Sequence, residues 1–222
     1  MKKQNIKKIL IRLLKKFYYT FISRYIDGKI KYLNRHKNYK EYIQKQIEKT
    51  NDPEKIARWQ GSEWSIKVDG FKHIFKRNDE YIKNKKKALC LGSRTGQEVH
   101  VLRTLGMEAI GIDLVEFQPY TIKGDIHDLT FEDEIFDLIF TNILDHSLYL
   151  KKFISEMERV TAKEGIIILN IQEKIAGDDY SENIINDNQS IIEMFKNCSL
   201  LMDREIKNTF DQMNREIIMR KK

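Results

Sequence analysis

Two short stretches constrain this chain more than any others. One is an apolar run leading into a glycine loop over residues 86–96, and the other is an apolar run over residues 108–113 that ends in a carboxylate, Asp113. Near-continuous apolar runs of this length are the pattern of parallel strands covered on both faces. A glycine loop after the first strand lets a ligand come close to the backbone, and an acid ending the second is spaced to accept hydrogen bonds from ribose hydroxyls. The pair points to an adenosine-containing ligand.

From residue 86 onward, strand and helix patterns alternate. Strands are predicted over 88–91, 109–112, 136–140 and 165–171, and helices over 97–105 and 148–161. Such βα repetition predicts a parallel sheet with right-handed crossovers and a site at the carboxyl edge of the strands. The C-terminal part changes character. After a short helix over 191–195, strands over 199–206 and 215–219 flank a polar turn around Asp211, which predicts an antiparallel hairpin closing one sheet edge.

Charge divides the chain differently. Residues 1–50 hold 15 Lys and Arg against Asp27, Glu41 and Glu48, so of the net charge of +7 the remaining residues carry about −5. Over 6–26, Ile6, Leu10, Leu13, Leu14, Phe17 and Phe21 share one helical face, with Lys8, Arg12, Lys15 and Lys16 opposite and Lys7 and Arg24 on the wrong side. Three readings stand, with nucleic acid a further possibility: a helix docked on the body, an arm that meets an anionic membrane surface, or an arm that binds an acidic partner. Arg12, Lys15 and Lys16 interrupt the apolar residues too soon for a spanning helix or a signal-peptide core. The polar segment over 29–50 reads as further helix, broken at Asn51, Asp52 and Pro53. Three regions follow: a basic helical arm over 1–50, a lid or linker over 51–83 that contains Trp59 and Trp64, and a ligand-binding domain over 84–222.

Cys90 and Cys198 lie far apart and lack partners at metal spacing, so no disulfide framework and no metal site is expected. A reducing, cytoplasmic setting is the default expectation.

The loop itself excludes two ligand classes. A dinucleotide fold wants glycines where this chain has Gly92, Arg94 and Gln97, and only the first fits. No Gly-Lys-Ser/Thr follows the first strand, which removes a triphosphate P-loop.

What remains resembles the class I S-adenosylmethionine-dependent methyltransferases, whose first motif runs apolar-acid-apolar-Gly-x-Gly-x-Gly. Residues 88–96 match it with Gly92 and Gly96, while Cys90 replaces the acid and Arg94 the middle glycine. Asp113 matches the ribose-binding acid of that family, Gly124, Asp125 and Ile126 match its adenine segment, and residues 136–142 resemble its fourth strand. The residues Phe153, Glu156, Arg159, Val160, Glu164 and Gly165 resemble the helix and turn before its fifth strand. The likeness spans roughly residues 84–220. It implies an α/β Rossmann-like fold, a mostly parallel seven-stranded sheet with a C-terminal antiparallel hairpin behind a helical N-terminal arm. The cofactor it implies is S-adenosyl-L-methionine, held by Gly92, Ser93, Arg94, Thr95, Gly96, Asp113, Leu114, Asp125, Ile126 and Asn142. This cofactor has no phosphate, so the loop needs space for a methionine moiety and backbone donors for its carboxylate.

Methyl transfer is an in-line displacement that depends on alignment, with a base needed only where the acceptor loses a proton. Asp145 and His146 follow the fourth strand and are the candidates for acceptor positioning and deprotonation, although a histidine there also suits a structural cap. His127 is expected to shape the cofactor pocket. Gln172, Glu173 and the acidic loop through Asp178 to Tyr180 are candidates for lining an acceptor pocket, with Tyr180, Trp59 and Trp64 as lid elements. No Asn-Pro-Pro-aromatic motif follows the fourth strand, which disfavours a nucleic-acid base as acceptor. The expected reaction is O-methylation of a small-molecule, saccharide or lipid-linked acceptor. Two other readings remain: a methyltransferase-like module that binds without catalysis, motivated by Arg94 and Cys90, and a nucleic-acid methyltransferase guided by the basic arm.

Overall fold

The computed structural model describes residues 29–208 and 210–222. The amphipathic helix expected over 6–26 lies outside these residues. The first described element is a three-residue strand, β1 (Ile30–Tyr32), where helix was expected; helix begins only at α1 (Tyr39–Thr50). Asn38 caps α1 by accepting from the Glu41 N–H, and Asp52 caps α2 (Pro53–Gln60) by accepting from the N–H groups of Glu54 and Lys55. Pro53 occupies the first turn of α2, where its missing N–H costs nothing. The break expected at residues 51–53 is therefore a helix start. Two further helices, α3 (Trp64–Arg77) and α4 (Asp79–Ile82), lead into the sheet.

The alternating core follows as β2 (Lys87–Leu91), α5 (Gln97–Thr104), β3 (Glu108–Asp113), β4 (Thr121–Lys123), β5 (Phe136–Thr141), α6 (Leu150–Val160) and β6 (Thr161–Ile171). Then come β7 (Asn183–Ile185), α7 (Asn188–Ile192), β8 (Cys198–Glu205) and β9 (Arg215–Lys221). Seven strands form one sheet in the order β4-β3-β2-β5-β6-β9-β8, while β1 and β7 pair separately as an antiparallel ribbon. The strands from β4 to β6 are parallel, and β9 runs antiparallel to both β6 and β8. The expected hairpin is present.

Both faces of this sheet are covered. Leu89, Leu91, Ile139 and Ile167 pack on one side with Phe153 and Met157 of α6. Ala88, Cys90, Leu138 and Ile168 pack on the other with Phe71 and Phe75 of α3 and Leu102 of α5. This double burial is why the strands read as apolar runs rather than alternating ones. Strand order reverses between β2 and β5, and a crevice at the carboxyl ends beside such a switch point is where open α/β sheets bind ligands.

Candidate active site

The loop leaving β2 is built from three left-handed residues. Gly92 has φ +76°, Arg94 +44° and Gly96 +79°. At Gly92 a Cβ would also lie 2.4 Å from Ile143 Cδ1, so glycine is required there for space as well as for conformation. Arg94 adopts its turn at a cost of about 1–2 kcal/mol, which is the physical reason a glycine suits that position.

Asp113, at the end of β3, reaches back to this loop. Its Oδ2 accepts from the Arg94 N–H at 3.0 Å and its Oδ1 from the Val115 N–H at 3.4 Å. Burial raises the Asp113 carboxyl, partly offset by the Arg94 N–H and the Arg94 charge. The Arg94 guanidinium goes elsewhere: it stacks on the Trp59 ring of α2, 4.9 Å from the centroid. A second tie joins the same two segments, because Thr95 donates to Gln97 Oε1 and Gln97 Nε2 donates to the Trp59 carbonyl at 2.9 Å. Trp59 thus packs over the loop. Trp64 instead packs against His100 and Tyr120.

Asp125 follows β4 and is held by the first helix. Its Oδ2 accepts from the Tyr39 hydroxyl at 2.6 Å, and its Oδ1 from the His127 N–H at 2.8 Å. Burial pushes this carboxyl up, but the bonds from His127 and Tyr39 outweigh it and hold the group well below the usual carboxylate range. Tyr39 also stacks on Tyr149. His127 is fully buried, with Nε2 accepting from the Tyr149 N–H and placed 2.8 Å from Ser147 Oγ, and burial lowers its pKa. It is a neutral strut beneath the pocket.

The two catalytic candidates stay together, with His146 Nε2 3.6 Å from Asp145 Oδ2, but only one of them reaches the cavities. Asp145 is buried in the short 3₁₀ turn Leu144–His146, accepts from Ser181 Oγ at 2.9 Å and lines neither cavity. His146 lines both cavities. Its Nδ1 donates to the Tyr180 carbonyl at 3.0 Å, which leaves Nε2 to accept from Lys49 Nζ at 3.3 Å. Burial, then the neighbouring charges of Lys49 and Arg94, lower the His146 pKa against the pull of Asp145. Burial and the Arg94 charge also bring Lys49 down to about 7. Lys49 lies 4.5 Å from the Tyr180 ring centroid, so α1 is fastened across the carboxyl edge by a lysine, a histidine and a tyrosine.

The cleft has two compartments that share Gly92, Arg94, Ile143 and His146. The smaller is lined by Tyr42, Lys49, Asp113, Leu114, Asp125 and Ile126. The larger is lined by Ser93, Thr95, Glu98, Asn142, Gln172 and Asp178 together with residues of α2, α3 and the β8–β9 connection. Of the sequence candidates, Gly92, Arg94, Asp113, Leu114, Asp125 and Ile126 meet around the smaller compartment, and Ser93, Thr95 and Asn142 face the larger one. Gly96 caps α5 behind them. Glu173 turns away to Lys174 and the Asn188 N–H.

Several residues of the cleft escaped the sequence reading. Lys49 and Tyr39 belong to a helix whose polar composition gave no sign of which side chains fold inward. Asp211 was legible only as a turn residue. In the structure it lines the larger compartment, with Oδ2 buried and without a hydrogen-bond partner among the described residues. An unpaired buried oxygen of this kind costs on the order of 1–3 kcal/mol. Burial raises the Asp211 carboxyl, with the Asn208 amide, the Met213 N–H and the nearby Asn142 amide pulling it back. No group of metal-ligating side chains occurs among the described residues, and none of their helices is long and apolar enough to cross a membrane.

Known proteins share this arrangement. A family model described as a methyltransferase domain matches residues 89–169, which contain the glycine loop, Asp113, Asp125 and Asn142. A search of curated proteins finds no match to this sequence. Among solved structures, a 1,6-didemethyltoxoflavin-N1-methyltransferase from Burkholderia thailandensis, with bound 1,6-didemethyltoxoflavin and S-adenosylhomocysteine, is similar with a TM-score of 0.64. It is 11% identical, over 89% of this chain and 98% of that one. A SAM-dependent methyltransferase from Archaeoglobus fulgidus is similar with a TM-score of 0.55 at 15% identity, over 70% of this chain and 94% of its own. A Pyrococcus horikoshii protein gives 0.59 at 16% identity, over 74% and 94%. At these identities the structures show a shared fold, and the match over residues 89–169 together with that fold supports a class I S-adenosylmethionine-dependent methyltransferase that uses S-adenosylmethionine.

Proposed function

We propose that this methyltransferase acts on a hydroxyl oxygen of a small molecule taken into the larger compartment, with the cofactor seated in the smaller one. The supporting observation is that the two compartments meet at Gly92, Arg94, Ile143 and His146, beneath helices α1 to α3. A cleft lined by α1 to α3 above the strand ends suits a small acceptor, whereas a duplex or a folded protein needs an open groove.

In this reading Asp113 accepts from the ribose hydroxyls. Its carboxylate is already placed by the Arg94 and Val115 N–H groups. Leu114 and Ile126 flank the adenosine, and Asp125, the partner of the adenine edge, exchanges its Tyr39 contact as the cofactor enters. Ser93, Thr95 and Asn142 lie toward the methionine part and the acceptor. The cofactor supplies an electrophilic methyl group, and the protein supplies alignment and exclusion of water.

Arg94 does not argue for a retired fold. The loop keeps its left-handed path around it, and the guanidinium is drawn to Trp59 and away from Asp113. His146 and Asp145 hold the lid in this scheme: one binds the Tyr180 carbonyl and Lys49, and the other binds Ser181. Incubation with methyl-labelled cofactor and separate small-molecule, nucleic-acid and protein fractions of a cell extract tests the proposal. Label is expected in the small-molecule fraction as a base-stable methyl ether; label confined to nucleic acid or protein contradicts it.

A further inference from the structure

We propose that Asp211 is the catalytic base of the transfer and takes the proton of the acceptor hydroxyl at Oδ2. The inference rests on the methyl-transfer reading above and assigns a residue of the C-terminal hairpin to it.

The two oxygens of Asp211 have different surroundings. Oδ1 accepts from Asn208 Nδ2 at 2.8 Å and from the Met213 N–H at 3.1 Å, while Oδ2 is buried and has no partner among the described residues. One oxygen is anchored by two donors; the Asn142 amide also lies near enough to pull the carboxyl down, yet makes no hydrogen bond to Oδ2, which is open to a ligand's proton. The carboxylate belongs to the compartment that also contains the glycine loop and Asn142.

The anchor is itself fixed from two sides. Arg77 of α3 donates to Asn208 Oδ1 at 3.1 Å and is bound through the same guanidinium to the buried Glu216 of β9. Next to Asp211, the Phe210 ring seats on Gly70 of α3 and makes an edge contact with Phe71, with centroids 5.0 Å apart. A Cβ on Gly70 would lie 2.0 Å from Phe210 Cδ1, so the ring depends on that glycine for its place. A mere surface turn would need neither contact.

The other carboxyl groups of the compartment are less suited to the task. Glu63 is paired with both Arg58 and Lys67. Asp178 is exposed, so water competes for its carboxylate, and its Oδ1 accepts from the Tyr180 N–H. Glu98 is pushed up to about 8 by burial and keeps its proton at neutral pH. Phe71, Phe210 and Met213 give the Asp211 end an apolar wall, which fits an acceptor that carries its hydroxyl on an apolar body.

The step balances without a further reactant. An oxygen lone pair of the acceptor forms the new bond to the methyl carbon, the C–S pair stays on sulfur to give S-adenosylhomocysteine, and the hydroxyl proton moves to Oδ2 and then to solvent.

Sinefungin tests this placement without knowledge of the acceptor, because its ammonium projects where the transferable methyl sits. Calorimetry is run with S-adenosylhomocysteine and with sinefungin on the full-length protein and on Asp211→Asn. The variant is expected to bind S-adenosylhomocysteine within twofold of the parent and to lose at least tenfold in sinefungin affinity. Unchanged sinefungin affinity, or a parallel loss for both ligands, overturns the assignment. Asp211→Ala carries the same reading if the amide variant does not fold. Failure of the parent protein to bind S-adenosylhomocysteine overturns the cofactor reading itself, and this inference with it.

Discussion

The Arg94 guanidinium lies 4.9 Å from the centroid of the Trp59 ring, so the side chain that stands in place of a loop glycine is engaged with the lid. Its backbone N–H meanwhile donates to Asp113. Backbone and side chain of one residue thus serve the two sides of the cleft.

This division makes Arg94→Gly a mild substitution. Relief of the left-handed strain, about 1–2 kcal/mol, opposes the loss of a cation–π contact of about 0.5–2 kcal/mol. Folding stability is expected to change by no more than ~1 kcal/mol, and S-adenosylhomocysteine affinity by less than threefold. Hydrogen exchange in α2 is expected to quicken. A tenfold loss of affinity in calorimetry would instead assign the guanidinium to the cofactor.

The hairpin is held by charge buried in the sheet. Glu216 is fully buried, paired with Arg77 at 2.8 Å and Arg204 at 2.6 Å and bonded to Asn78 and Asn170. Burial raises its carboxyl, but the two guanidinium groups outweigh that and hold it below its ordinary value. Glu216→Ala strands two arginines and is expected to cost about 3–5 kcal/mol in urea unfolding at pH 7. Because the folded pKa is depressed, the stabilisation is fully present above the unfolded carboxyl value and is lost as pH falls from there through the lower folded value. A loss under ~1 kcal/mol at pH 7 would contradict this account of the cluster.

Lys49 carries the opposite sign. Its folded pKa, near 7, lies below the 10.5 of the free side chain. Between those values the unfolded chain binds more protons, so this group's penalty is full below pH 7 and is relieved as pH rises toward 10. Lys49→Met is therefore expected to gain stability over the parent at pH 6.5 and to lose that advantage, by more than ~1 kcal/mol, at pH 9.5. Parallel stability curves for the two proteins would show that Lys49 titrates normally.

The parts of the fold visible in the sequence are those whose burial is local in pattern. β2, β3, β5 and the end of β6 are covered on both faces and read as apolar runs, and β8 and β9 follow from their spacing about a polar turn. Three strands were hidden. β4 has three residues, of which only Ile122 is apolar, and β1 and β7, more than 150 residues apart, are strands because they pair with each other.

The site divides in the same way. The places of Asp113 and Asn142 at the cleft were legible because each stands at the end of a predicted strand, and strand ends converge at the carboxyl edge, whereas Asp125 follows a hidden strand and came only from the resemblance. Asp145 and His146 are adjacent in sequence, yet the 3₁₀ turn sends the first inward to Ser181 and leaves the second at the cleft. Lys49 and Asp211 reach the cleft only through the docking of a helix and a hairpin, which no local pattern announces.

The account stands or falls on Asp113. Its carboxylate is placed by two backbone N–H groups at the edge of the smaller compartment, where the proposed function has it accept two charge-assisted bonds from a ribose. Loss of one such bond, about 1.5–3 kcal/mol, corresponds to roughly tenfold or more in affinity. The direct measurement is calorimetric titration of S-adenosylhomocysteine into the protein and into Asp113→Ala. The account predicts binding to the first and at least tenfold weaker binding to the second, with the fold intact by circular dichroism. Equal affinity for both would contradict it.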